Sequence, residues 1–150
     1  MAESRAKRIK VVLTLAQQQE DIAAKRLSDY REQLTAEEQQ LAQLKEYSTQ
    51  YMLDYAGQRQ GVYAHQLINY SGFVHRLGEL CKEQEVKLER MQAAYKKLQE
   101  QWRICHQKRK SVEELIERFT HEESLLLEKQ LQKELDELTT QKFARQEDNN

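Results

Sequence analysis

Ala56-Gly57-Gln58-Arg59-Gln60-Gly61 is the strongest break in this sequence of 150 residues, which holds four glycines and no proline. In a proline-free chain of helix formers, glycine is the only strong punctuation. Gly57 and Gly61 bracket three polar residues, whereas Gly72 and Gly78 fall inside a periodic apolar pattern. Each of those inner glycines costs a helix about 1 kcal/mol without ending it. One helix is therefore expected from about Ser4 to Ala56 and another from about Val62 to Lys142, with the turn over residues 57–61. At 1.5 Å per residue they span about 80 Å and about 120 Å. The end caps are weak, and residues 143–150, closing on Glu147-Asp148-Asn149-Asn150, are expected to fray.

Outward from the break, both flanks carry a 4-3 repeat. Before it run Ile9, Leu13, Ala16, Glu20, Ala23, Leu27, Tyr30, Leu34, Glu37, Leu41, Leu44, Ser48, Tyr51 and Tyr55. After it run Tyr63, Leu67, Tyr70, Val74, Leu77, Cys81, Gln84, Leu88, Met91, Tyr95, Leu98, Trp102, Cys105 and Arg109. A seam held for about seven heptads marks a left-handed coiled coil and not a globular face. A parallel homodimer and a folded-back hairpin both satisfy the period. If Arg59 centres the turn, positions equidistant from it pair, and every seam residue meets another seam residue: Leu41 with Leu77, Leu44 with Val74, Ala16 with Trp102. Large rings then face alanines, which fills a seam without voids. Polar seam residues pair less well in that register, Glu20 with Leu98, Gln84 with Leu34 and Ile9 with Arg109. The expected fold is all-α, one antiparallel coiled-coil hairpin over residues 1–150 whose second helix is the longer.

Composition excludes most other classes. Charged residues reach 33 % with a net charge of −1, apolar residues only 39 % and aromatic residues 7 %, too little for a thick core. No apolar run is long enough to span a bilayer. The basic start is followed only by Val11-Val12-Leu13, too short for a signal-peptide core. Two cysteines make no disulfide framework, and a cytoplasmic location is the simplest reading. The near-zero net charge argues against nucleic acid as a partner. Catalysis finds no residues to use. Cys105 and His106 are neighbours that point about 100° apart on a helix, Cys81 has no CxxC partner, and the four histidines form no ligand spacing. Neither catalytic residues, metal ligands nor a cofactor site are expected, so the chain reads as non-enzymatic.

Interaction surfaces are the remaining possibility. Residues beyond about Leu115 exceed what the first helix can pair, yet Ile116, Phe119, Leu125, Leu126, Leu127, Leu131, Leu135 and Leu138 continue the apolar pattern, with a phase shift near Leu126. An unpaired apolar stripe of this size reads as a binding surface, with self-association as the plainer alternative. The N-terminus is basic through Arg5, Lys7, Arg8 and Lys10, and the overhang is acidic. Tyr47, Tyr51, Tyr55, Tyr63 and Tyr70 gather near the turn, where packing explains them. Phe73, Leu77, Leu80 and Gln84 share one helical face at i, i+4, i+7 and i+11.

With Glu46-Tyr47 before the turn and Ile68-Asn69-Tyr70, Phe73 and Leu77 after it, the chain resembles the flagellar type III export protein FliJ family over nearly its whole length. The resemblance implies an antiparallel coiled coil similar to the stalk of rotary ATPases. It further implies a soluble cytoplasmic protein, met at the inner face of the membrane at the flagellar base through its partners alone. Those partners are the hexameric export ATPase, whose assembly and activity the family promotes, the cytoplasmic domain of the membrane export gate, and export chaperones. By that resemblance the gate-binding face carries over to Phe73, Leu77, Leu80 and Gln84, although Leu77 is also a seam residue. For the ATPase, the basic and apolar end near the termini offers Arg5, Arg8, Lys10, Leu115, Phe119 and Leu126. The chain alone is expected to be a monomer. The stalk of a virulence injectisome and a generic coiled-coil tether remain as alternatives.

Overall fold

The computed structural model describes residues 4–57 and 64–150, and the side chains of all of these but 64 and 65. They form two α-helices, α1 (Arg5–Gly57, 53 residues) and α2 (Ala64–Asp148, 85 residues), which pack against each other as a helical hairpin with the second helix longer. The centre of the expected turn and Tyr63 lie outside the described residues. α1 starts at a true cap: Ser4 Oγ accepts from the Lys7 N–H at 3.2 Å, and its carbonyl accepts from the Arg8 N–H at 3.2 Å. α2 continues to Asp148, past the expected end near Lys142. Thr14, Thr35, Thr49, Thr139 and Thr140 sit inside the helices, and each hydroxyl donates to the carbonyl four residues back, as Thr35 does to Arg31 at 2.9 Å.

The chain divides into two units. The central unit is Asp21–Arg103, and the terminal unit joins Met1–Glu20 with Ile104–Asn150. In the central unit the heptad reading holds at every described seam position but one. Every α1 seam position from Ala23 to Tyr55 is buried or half-buried, and on α2 so is each from Tyr70 to Trp102, while Leu67 stands exposed. Leu34, Leu77 and Leu88 are the buried leucines, at 8 %, 5 % and 7 % exposure. In the terminal unit Ala6 and Ala16 are buried, and Ile9, Leu13 and Glu20 are half-buried against the far half of α2. The core is a single line of side chains in each unit.

Two details differ from the sequence expectation. First, the register. Gln84 does not face Leu34: its amide donates to the Glu37 carbonyl at 3.2 Å and to the Glu37 carboxylate, which Lys87 Nζ also reaches at 3.0 Å. Glu20 meets Arg109 and His106, so it does not face Leu98, and Arg109 does not face Ile9. Seam-on-seam matching cannot choose a register, because sliding one helix by a heptad returns seam to seam. Polar seam residues can, since an unpaired half-buried carboxylate is costly. Second, cover on α2 does not end at Leu115. Val112, Leu115, Ile116, Phe119 and Glu123 are half-buried, and the Arg5 guanidinium sits 5.8 Å from the Phe119 ring centroid. The uncovered segment begins at Ser124, from which every residue is exposed.

Candidate interaction surfaces

In the central unit the residues expected to meet the export gate fall into two kinds. Phe73 (37 % exposed) and Leu80 (42 %) lie on the flank, open to solvent. Leu77 is buried, and Gln84 is half-buried and held by Glu37. The shared face is therefore a flank of two side chains above a floor made by Leu77. α1 supplies what the sequence reading left to packing: Tyr47, 51 % exposed, meets the Phe73 ring edge-on with centroids 6.5 Å apart. Tyr51 packs against the same ring at 4.6 Å. Such geometries favour aromatic pairs beyond their buried area. The signal for Tyr47 was its position four residues before the seam residue Tyr51, one turn along the same side of α1.

Behind Phe73 the aromatic contacts continue. Tyr70 stacks on Tyr55 at 3.5 Å and on Tyr51 at 4.7 Å, and its hydroxyl donates to the Tyr51 carbonyl at 2.7 Å. Desolvation, with Tyr51, Tyr55 and Asp54 close by, pushes the Tyr70 phenol above its ordinary value, so it stays a neutral donor. The stack fixes where Phe73 can point. Gly72 and Gly78 lie in the same stretch of α2, and a Cβ added at either would meet nothing within 4 Å.

Burial at Glu37 is outweighed. The hydrogen bond from Gln84, then that from Lys87, holds its carboxyl below the ordinary range against a smaller desolvation penalty. Lys45 and Glu85 form a solvated pair at 3.0 Å, which contributes little, and His75 Nε2 lies 3.1 Å from Glu79 Oε1 on the exposed side of α2.

In the terminal unit, Arg8 and Lys10 are exposed, Arg5 lies over Phe119, Leu115 and Phe119 are half-buried, and Leu126 is 66 % exposed. Of the six residues expected to meet the ATPase, the structure joins only Arg5 and Phe119 directly. It also exposes Val11 (65 %) and Leu15 (56 %) on α1, four residues apart and off the seam, where the heptad reading gave them no role. Below that surface lies a polar layer. Arg109 donates from Nε to Glu20, and its Nη1 lies 2.7 Å from Glu113 Oε2, while His106 Nδ1 lies 3.4 Å from Glu20 Oε1. Desolvation is the largest single influence on Glu20 and pushes its carboxyl up. The hydrogen bonds and charges of Arg109 and His106 together outweigh it and hold the group below its ordinary value. Hydrogen bonds to Glu20 and Glu113 raise the Arg109 guanidinium correspondingly.

Among the described residues, no cluster of three or more His, Cys, Asp or Glu side chains is placed to hold a metal, and no helix is long and apolar enough to cross a membrane. Cys81 and Cys105 are half-buried free thiols in the seam.

A hairpin of two long helices, with apolar flanks and a bare helical end, defines the class: a coiled-coil protein whose surfaces are suited to docking other proteins. The family model for the flagellar FliJ protein matches residues 5–148, and the chain belongs to that family, a non-catalytic component of flagellar type III export. No curated protein and no solved structure matches it.

Proposed function

We propose that this chain is the stalk of a flagellar export motor. It binds the hexameric export ATPase, promotes ring assembly and activity, and links the ring to the cytoplasmic domain of the export gate. It works in the cytoplasm, reaches the inner membrane only through these partners, and escorts export chaperones as some family members do. The observation that carries the reading is the uncovered helix after Glu123, whose leucines are exposed among the described residues, in the same unit as the basic start of α1. An exposed apolar stripe of this length is an interaction surface, and the family ties the chain to export. Arg5, Arg8 and Lys10 supply charge to the ATPase contact, Leu126 supplies apolar area, and Leu115 and Phe119 support α1 beneath it. At the gate contact Phe73 and Leu80 touch the partner, with Tyr47 beside them, while Leu77 and Gln84 hold the face in place.

The test is turnover by the purified cognate ATPase near its ring-assembly concentration, with and without the chain. Stimulation by the full chain that is lost when residues 124–150 are removed supports the stalk. Equal stimulation by both forms moves the contact elsewhere. No stimulation and no co-migration with the ATPase refute the motor role.

A further inference from the structure

The end of α2 carries more apolar surface than the proposed motor contact uses. Leu127 (59 % exposed), Leu131 (52 %), Leu135 (60 %) and Leu138 (62 %) follow one another at spacings that keep them on one helical face. The face continues through Lys142 and Arg145, and Glu128 stands beside its other end. Leu126 points elsewhere, about 140° around the helix from Leu131. Most of a helix's stability in a protein comes from packing along its apolar stripe.

We propose that the occupant of this stripe is the same segment of a second copy, running antiparallel about a two-fold axis between residues 136 and 137. The charges at the stripe's ends favour this occupant. In that register Leu135 of each copy meets Leu138 of the other on both sides of the axis. Glu128 of one faces Arg145 of the other at both ends. Lys142 lies across Leu131, its stem on the leucine and its ammonium in water. A parallel pairing would instead set Glu128, Lys142 and Arg145 each against its own copy, three layers of like charge. The antiparallel contact is self-complementary, so it closes at two copies and does not propagate. The seam inside the hairpin leads to the expectation of a monomer. The leucine stripe outside that seam makes the free chain a dimer at high concentration. This pairing does not depend on the motor reading, and the two are tested separately.

Sedimentation velocity of the full chain from about 1 µM to about 200 µM reads the outcome directly. The mass should rise from one copy to two and stop. L135E combined with L138E should remain a monomer throughout with unchanged helix content, because both leucines are exposed in the hairpin. Glu128→Arg or Arg145→Glu alone should weaken the dimer by about tenfold or more, and the two together should restore it. A monomer at every concentration, growth beyond two copies, a dimer indifferent to L135E/L138E, or a double charge swap no better than either single would each overturn the proposal.

Discussion

Replacing Leu77 by alanine separates two roles that the sequence assigns to one side chain. Leu77 is 5 % exposed, among the most deeply buried residues described in the central unit, while Phe73 and Leu80 on the same flank are 37 % and 42 % exposed. Truncating a buried leucine costs about 2–5 kcal/mol, and the cost falls where neighbours and water can fill the gap. A seam one side chain thick is open on both flanks, so the low end applies, about 2–3 kcal/mol. For a chain of this size each kcal/mol moves the melting midpoint by about 2–4 °C, which sets the L77A shift at about 4–12 °C. Phe73→Ala and Leu80→Ala remove side chains already part-way in water and should move it less. The assay pairs far-UV circular dichroism melts with binding to the purified gate domain well below the lowest midpoint. F73A and L80A should weaken binding with small changes in melting. L77A should melt early yet bind as the parent does while folded. If L77A melted with the parent and failed to bind, Leu77 would be partner surface, and the argument from burial would be wrong.

Three further outcomes follow from the geometry. Glu20 and Glu37 have carboxyls held below their ordinary values in the folded chain, so each contributes stability above the unfolded carboxylate value and loses it as pH falls through the lowered one. Melts between about pH 3 and pH 7 should show that acid limb, and Glu20→Gln should flatten it while leaving the share of Glu37. Gly72→Ala and Gly78→Ala meet nothing within 4 Å, so each should stabilise α2 by about 0.5–1 kcal/mol and raise the midpoint in thermal melts. A loss of stability would mean that something in the folded chain approaches the bare backbone there. Ending the chain after Glu123 removes only exposed residues, so the midpoint should stay within about 2 °C of the parent even though ATPase stimulation is lost. A fall as large as that of L77A would show that residues 124–150 support the hairpin.

The sequence made the helices and the seam legible because both depend on local rules. Absence of proline, helix-forming composition and a sustained 4-3 repeat name which residues turn inward, and Leu34, Leu77 and Leu88 are buried where the repeat places them. What the period could not say was which turn of α1 faces which turn of α2. Apolar layers are interchangeable at heptad steps, and a register anchored on Arg59 matched seam to seam while leaving Glu20 and Gln84 against leucines. The structure resolves that mismatch by setting Glu20 on Arg109 and Glu37 on Gln84. The same misplacement started the uncovered segment too early, at Leu115, because the span of α2 that α1 can cover depends on register. At the candidate gate surface, the helical face of Phe73, Leu77, Leu80 and Gln84 was readable from spacing, but how deep each one sits was not. Spacing gives direction around one helix, and depth depends on the helix opposite.

The polar seam residues have a use that their stability alone does not explain. Each polar layer forgoes the burial that a leucine would contribute, in a core that is only one side chain thick. Moving Glu37 one heptad along α2 would put its carboxylate against Leu77 or Met91 in place of Gln84, and moving Glu20 likewise would set it against Trp102 or Ile116 in place of Arg109. A slide of one heptad either way therefore takes Glu37 from its amide donor and sets it against an apolar side chain, whereas an all-leucine seam would tolerate the slide. The central and terminal units each hold one such layer. Within the central unit this matters for the proposed gate contact, because the flank that carries Phe73 is completed by Tyr47 from the opposite helix. A slip of one heptad would still set seam against seam and yet take Tyr47 away from Phe73. A surface built from both helices requires a register fixed by something more selective than apolar burial, and the Glu37–Gln84–Lys87 layer meets that requirement.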